Sequence, residues 1–224
     1  MKNVGILFDL DGTLLNTLED ILGATNATLR HFGCPERTLA ELRTFVGNGA
    51  KRQMTLCLPG REDDPPMEEV LPWYKEYYRT HARVKTSLYP GIMDALRELK
   101  ARGYPMAVVS NKPDAVVQLL CRDFFGDLFD AVTGEVEGCA RKPAPDLAYL
   151  VAERIGIPGE NCIYVGDSEV DILTARNAGM VCLSVSWGFR DEDMLLEYGA
   201  DNLCARTEEL CSKVRELESI IHGK

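Results

Sequence analysis

Histidine occurs only three times in this chain, and none of the three stands at metal-ligand spacing from a cysteine. The eight cysteines never form a C-x-x-C pair, and several sit inside apolar runs, as Cys162 does in "CIYVG" and Cys182 in "MVCLSV". Such thiols are expected to be buried and free, as in a reducing cytoplasm. Positive charge is also short: 25 basic against 35 acidic side chains leave a formal net charge of -10. A nucleic-acid backbone or an anionic membrane rewards a basic face, so neither is expected as a partner. An anionic small molecule is still admissible if a metal ion or a few aimed donors offset the repulsion. No stretch approaches the ~20 apolar residues of a membrane span, and the run in "MKNVGILF" is too short for a secretory signal. No internal repeat is visible. What is present, 46% hydrophobic and 27% charged over 224 residues, suits one soluble core with a smaller insert, in the cytoplasm.

Short apolar runs alternate with helical patterns. Val4 to Phe8, Met106 to Val109, Ala131 to Thr133, Cys162 to Val165 and Val181 to Val185 read as buried strands, brief, rich in β-branched residues and bounded by Gly, Pro, Asp or Ser. Between them lie "GIMDALRELKARG", "PDAVVQLLCRDFFG", "PDLAYLVAERIG" and "DILTARNAG", each opening near Pro, Asp or Gly. This alternation predicts an α/β fold, a parallel sheet with helices on both faces. From 18 to 85 the strand signal disappears, and "EDILGATNATLRHFG" and "EEVLPWYKEYYRTHARV" read as helices. That segment is expected to be a helical cap domain inserted after the first strand, with 1–17 and 86–224 as the catalytic core. "TSLYPG" marks the return, and "LPGREDDPP" reads as a surface loop.

In an open parallel sheet, ligands bind beyond the carboxyl ends of the strands. Asp9 and Asp11 follow the first strand in "FDLDGTLLNT", Ser110, Asn111 and Lys112 the second, and Gly166, Asp167, Ser168 and Asp171 a later one; Lys142 lies in the loop "ARKPAPD". Two carboxylates as close as Asp9 and Asp11 raise each other's pKa, and a divalent cation relieves the repulsion. With Asp167 and Asp171 the shell would be all oxygen, which favours Mg²⁺ and leaves room for a substrate phosphate. Asp9 could then act as a nucleophile on phosphorus, and Asp11 as an acid and base. Gly12 permits a tight turn and close approach of backbone N–H groups to phosphate oxygens. Ser110 and Lys142 could hold those oxygens. Taken singly, each is a polar turn, a helix cap or a surface charge; their order and shared placement at strand ends argue for a site.

"FDLDGTL", "VVSNK", "RKPAPD" and "YVGDSEVDILTARNAG" resemble, in this order, the motifs of the haloacid dehalogenase-like superfamily of phosphohydrolases, over essentially the whole chain. The resemblance implies a Rossmann-like three-layer core, a helical cap and a Mg²⁺-dependent aspartyl-phosphate mechanism. It makes Asp9 the nucleophile, Asp11 the acid/base, and Ser110 and Lys142 the phosphoryl-binding pair. Asp167 becomes a Mg²⁺ ligand together with Asp9 and the backbone carbonyl of Asp11, and Asp171 a supporting or alternate metal carboxylate.

Within the superfamily the chain most resembles the phosphoglycolate phosphatases. "FVGNGAKRQM" is similar to their cap loop, and "SVSWGFRDEDMLLEYGAD" to their segment after the last core strand. Gly47 and Gly49 would donate backbone N–H groups to an anionic substrate; Asn48, Lys51 or Arg52 would reach its non-phosphate end, and Asn111 the site from the core. Relatives commonly carry an acid where this chain has Asn16, which bears on a hinge salt bridge. Pyrophosphate, sugar phosphates and nucleoside monophosphates stay open beside 2-phosphoglycolate. A phosphomutase, a dehalogenase (for which Asp11 would be superfluous) and a non-catalytic regulatory protein are the alternatives, and the chain is expected to be a monomer or homodimer.

Overall fold

The computed structural model describes residues 2–62 and 64–223; residue 63 of the "LPGREDDPP" loop lies outside the described residues. The chain opens with β1 (Gly5–Phe8) and β2 (Leu15–Asn16). The helices α1 (Leu18–His31), α2 (Leu39–Phe45), α3 (Gly49–Cys57) and α4 (Met67–His81) follow before β3 (Ser87–Leu88). Then come α5 (Ile92–Ala101), β4 (Met106–Pro113), α6 (Asp114–Phe125), β5 (Ala131–Glu135) and α7 (Asp146–Arg154). The chain closes with β6 (Cys162–Gly166), α8 (Glu169–Asn177), β7 (Val181–Val185), α9 (Glu192–Glu197), β8 (Leu203–Cys204) and α10 (Leu210–His222).

Six strands form one parallel sheet in the order β5-β4-β1-β6-β7-β8. The α/β class is as the alternation implies. β1 lies at the centre because its four residues are buried on both faces, so only a strand covered by two helical layers can hold them. Ile6 and Phe8 join the core shared with α5, α6 and α10, whereas Leu7 packs on the other side with α7 and with Ala175 of α8. After β1 the chain places β4 and β5 on one side, then β6, β7 and β8 on the other. The ends of β1, β4 and β6 therefore meet at the point where the strand order reverses, the usual crevice for a ligand.

The structure departs from the expected strands in three places. β4 runs on through Ser110, Asn111 and Lys112 to Pro113, with a register shift against β5 between Val109 and Pro113. β8 is a two-residue edge strand too short for any periodicity to mark it. β2 and β3 pair antiparallel, Leu15 with Leu88 and Asn16 with Ser87, so the two chain segments flanking α1–α4 run side by side. Asn16 is exposed there. Six of the eight cysteines are buried, with Cys139 and Cys182 only half-buried. Among the described residues no helix is long and apolar enough to cross a membrane.

A buried carboxylate ties the two ends of the helical segment together. Asp20, in the first turn of α1, accepts the backbone N–H of Lys85 at 2.9 Å and that of Thr86 at 2.8 Å. Asp20→Ala strands both donors, at a cost of about 2 kcal/mol. Urea unfolding is expected to show the midpoint lowered and the melting temperature down by about 4–8 °C; an unchanged midpoint would show that the clasp contributes nothing.

Candidate active site

Asp9 is the first residue beyond β1, 7% exposed, and its N–H is fixed by the carbonyl of Val165 in β6 at 2.9 Å. Its Oδ1 stands 2.9 Å from the Lys142 ammonium as an ion pair, without an aligned hydrogen-bond donor among the described residues. Burial pushes the Asp9 carboxyl from the ordinary 3.8 up to about 7; the Lys142 ammonium opposes this, while Asp171 and Asp11 add to it.

Lys142 is 1% exposed. Its Nζ also donates to Asp171 Oδ1 at 2.8 Å and to the Val109 carbonyl at 3.3 Å. Burial works against this charge, but the carboxylates of Asp171 and Asp9 outweigh it and hold the pKa well above the lysine range. Asn111 clamps the backbone beneath it: its Oδ1 accepts the Lys142 N–H at 2.8 Å, and its Nδ2 donates to the Lys142 and Gly47 carbonyls. Asn111 thus has its side chain occupied in holding Lys142 and the 46–48 loop.

Asp167 follows β6 and is 1% exposed. It accepts from the Thr13 hydroxyl at 3.1 Å and the Phe189 N–H at 2.7 Å. Burial, then the charges of Asp171 and Asp9, push its pKa well above the carboxylate range. Gly12 explains how so crowded a carboxylate is accommodated. Its φ is 83°, and a Cβ there would lie 2.2 Å from Asp167 Oδ2. The turn expected at Gly12 is present, but its N–H is used within it, donating to the Leu15 carbonyl at 2.9 Å. Gly12 therefore makes room for Asp167 and has no free N–H to offer a phosphate.

Asp9, Asp167 and Asp171 each place a carboxylate oxygen within 4.8 Å of the others, a set that could hold a metal ion. The donors are all oxygen, and one ammonium faces three carboxylates, which suits a hard divalent cation. Within the set, Asp171 is already engaged: Oδ1 meets Lys142, and Oδ2 accepts from the Ser168 hydroxyl at 2.6 Å. Asp9 Oδ1, desolvated and short of a donor, is the oxygen with most to gain. The carboxylate of Asp11 stands apart. It is held by Lys112 Nζ at 2.6 and 2.8 Å and by the Thr17 hydroxyl at 2.6 Å.

A cavity of about 50 Å³ opens before these groups, lined from the sheet by Asp9, Asp11, Ser110, Asn111, Lys112 and Asp167. Gly47, Gly49, Gln53, Tyr74 and Tyr78 close it from the helical segment. Asn48, Lys51 and Arg52 are not on its wall. α3 buries Ala50, Gln53, Met54 and Cys57, so Lys51 and Arg52 ride on its opposite, exposed face. Arg190, 6% exposed, was missed in the sequence. It pairs with Glu169 at 2.8 Å and donates to the Arg43 and Val46 carbonyls, while Arg43 donates back to the Phe189 carbonyl. Nothing local marks Arg190, whose carbonyl partners Arg43 and Val46 lie more than a hundred residues away, nor Tyr74 and Tyr78, which read as an apolar helix face.

Residues 6–185 match the model of the haloacid dehalogenase-like hydrolases. A phosphoglycolate phosphatase of Xanthomonas campestris is 35% identical over 207 residues, covering 92% of this chain and 93% of its own. A haloacid dehalogenase-like hydrolase of Streptococcus pneumoniae superposes with a TM-score of 0.84 at 27% identity, over 96% of this chain and 100% of that one. CbbY of Rhodobacter sphaeroides, solved with phosphate, gives 0.76 at 30% identity over 92% and 95%. The chain belongs to the haloacid dehalogenase-like hydrolases, and it is an enzyme of the phosphatase type.

The Asp9 carboxyl has a consequence for metal binding. Folded, it keeps its proton up to about pH 7, whereas an unfolded aspartate releases it near 3.8. Between those values the folded state binds more protons, so the metal-free protein loses stability as the pH rises through this window. A cation needs the ionised form. The rise in melting temperature with Mg²⁺ at a hundredfold excess over its Kd is expected to be about 5–10 °C at pH 8, and markedly smaller at pH 5.5. Equal shifts at both pH values would remove Asp9 from the cation's ligands.

Proposed function

We propose that this phosphatase hydrolyses a small phosphate monoester, 2-phosphoglycolate first among them, through a phosphoaspartyl intermediate on Asp9 and with Mg²⁺ bound. The observation that carries this reading is Asp9 itself: a buried carboxylate at the centre of the sheet, facing the cavity, with one oxygen short of a donor. One oxygen of that carboxylate would attack phosphorus while the other faces the cation, and the ester oxygen would leave with a proton from Asp11. Asp11 would then take a proton from water as the water attacks the same phosphorus, releasing phosphate and restoring Asp9. Asp9 and Asp167 are the residues that would hold Mg²⁺, whose charge would offset that of the phosphoryl oxygens. Ser110, 2% exposed on the cavity wall, and Lys142 would bind those oxygens. Asp171 would keep Lys142 charged and in place.

Residues 18–85 would serve as a cap over 1–17 and 86–224, with Gly47 and Gly49 facing the substrate. The small cavity supports a substrate of few atoms over a nucleotide, since about 50 Å³ accommodates only a handful of water-sized groups. The names of the relatives support 2-phosphoglycolate in particular. A second reading rests on CbbY, which has also been solved with xylulose-(1,5)bisphosphate and would point to a sugar bisphosphate.

Phosphate release from 2-phosphoglycolate, pyrophosphate, sugar phosphates and nucleotides tests both readings, with Asp9→Asn as the blank. The expected outcome is preference for 2-phosphoglycolate, abolished by EDTA and restored by Mg²⁺. Preference for the sugar bisphosphate selects the second reading, and full turnover in excess EDTA refutes the metal. Lys142→Ala is expected to cut turnover at least a hundredfold, on the order of the loss of one oxyanion donor. No release from any compound by folded protein would overturn the reading.

A further inference from the structure

Lys112 and Arg190 line the cavity and Lys142 lies behind Asp9, and their partners divide these three buried cations. All three nitrogens of Arg190 are engaged, by Glu169 and by the Arg43 and Val46 carbonyls. Lys142 is surrounded by Asp9, Asp171 and the Val109 carbonyl. Lys112 differs. Its side chain is 3% exposed, yet both of its hydrogen bonds go to the single carboxylate of Asp11. An ammonium carries three donors. The ring of Tyr78 also faces it, its centre 4.7 Å from Nζ.

Tyr78 adds an independent observation. The residue is 1% exposed and lines the same cavity, and its hydroxyl is buried with no hydrogen-bond partner among the described residues. A buried hydroxyl left in this state costs about 1–3 kcal/mol, so the position is favourable only if something else uses the group. Tyr74, one turn earlier on α4 and stacked on Tyr78 at 5.7 Å, shows the contrast, since its hydroxyl accepts from Gln53. Ammonium from β4 and phenol from α4 thus meet across the junction of sheet and helical segment.

We propose that Lys112 and Tyr78 form a second anion subsite, which binds the non-transferred carboxylate of the substrate and sets the specificity of the enzyme. The proposal rests on the reading of the cavity as a phosphomonoesterase site, and it commits the substrate class to small phosphorylated carboxylic acids. The phosphoryl group would lie at Asp9, Ser110 and Lys142, and the carboxylate would accept from Lys112 Nζ and the Tyr78 hydroxyl. Lys112, placed between that carboxylate and Asp11, would offset the charge of both. A substrate with the carboxylate missing would leave both donors unused, and a site built to pair with a polar group rejects the analogue lacking it.

The test compares kcat/KM for 2-phosphoglycolate and for ethyl phosphate, which has the same ester and no carboxylate, in the wild type, Lys112→Met, Lys112→Arg and Tyr78→Phe. Because loss of Lys112 also frees Asp11, the ratio between the two substrates is the readout. The wild type is expected to prefer 2-phosphoglycolate strongly. Lys112→Met is expected to lower that ratio about tenfold or more, the value of a hydrogen bond to a charged group, chiefly through KM. Tyr78→Phe, which keeps the buried ring, lowers it several-fold, and Lys112→Arg retains most of it. Equal losses on both substrates in Lys112→Met and Tyr78→Phe, or a wild type indifferent to the carboxylate, would overturn the subsite while leaving the phosphatase reading intact. Hydrolysis of neither compound by folded wild type would instead refute the phosphatase reading, and the subsite with it.

Discussion

At the carboxyl end of the central strands, Asp9 and Asp171 are both held by one buried ammonium. Lys142 sits between Asp9 and Asp171 with 1% of its surface exposed, and the removal of such charges from water costs several kcal/mol per ion. The pairing offsets that cost only if the geometry is held, and the surrounding residues hold it. Asn111 fixes the Lys142 backbone from β4, Ser168 fixes Asp171 from the start of α8, and the Val109 carbonyl takes a further proton of the ammonium. Three parts of the chain far apart in sequence are thereby locked to one atom. Among the described residues Asp167 has hydrogen bonds but no ion-pair partner.

The sheet explains why these groups meet. β1, β4 and β6 are neighbours, and each delivers its polar residues at the same end, where the strand order reverses. This part was legible in the sequence, because a strand buried on both faces is a continuous apolar run and the residue after it is fixed to within one position. Asp9 after "GILF" and Asp167 after "CIYVG" are such cases. The helices of the core were legible for the same reason, their apolar faces recurring at helical spacing between glycine and proline boundaries.

Pairings made across long separations were not legible. Lys112 and Asp11 are 101 residues apart, and Arg190 and Arg43 147. No local period connects them, and each side chain by itself reads as a solvated charge. The face of α3 was misjudged on similar grounds. "GAKRQM" places Lys51 and Arg52 beside Gly49, but the helix begins there, and its turn carries both to the exposed side while Gln53 takes the inner one. A loop reading of the same letters favours the basic residues; a helical reading removes them.

The cavity is thus assembled from two sources with different tolerances. The sheet side is over-determined: a methyl group at position 12 would collide with Asp167, and one at position 188 would lie 2.3 Å from its Cβ, so little there can vary without displacing the chemistry. The helical side is fastened by the Asp20 clasp at one end and, near the cavity, by the Arg43–Arg190 exchange and the Asn111–Gly47 bond. Of the cavity-lining side chains on these helices, Gln53 and Tyr74 bond to each other, whereas Tyr78 lies over the Lys112 ammonium. On the proposed reading, selectivity between substrates would belong to groups that straddle the two parts. A donor fixed in the sheet would keep its distance from the reacting phosphorus, while its partner on a helix would close over whatever else the substrate carries.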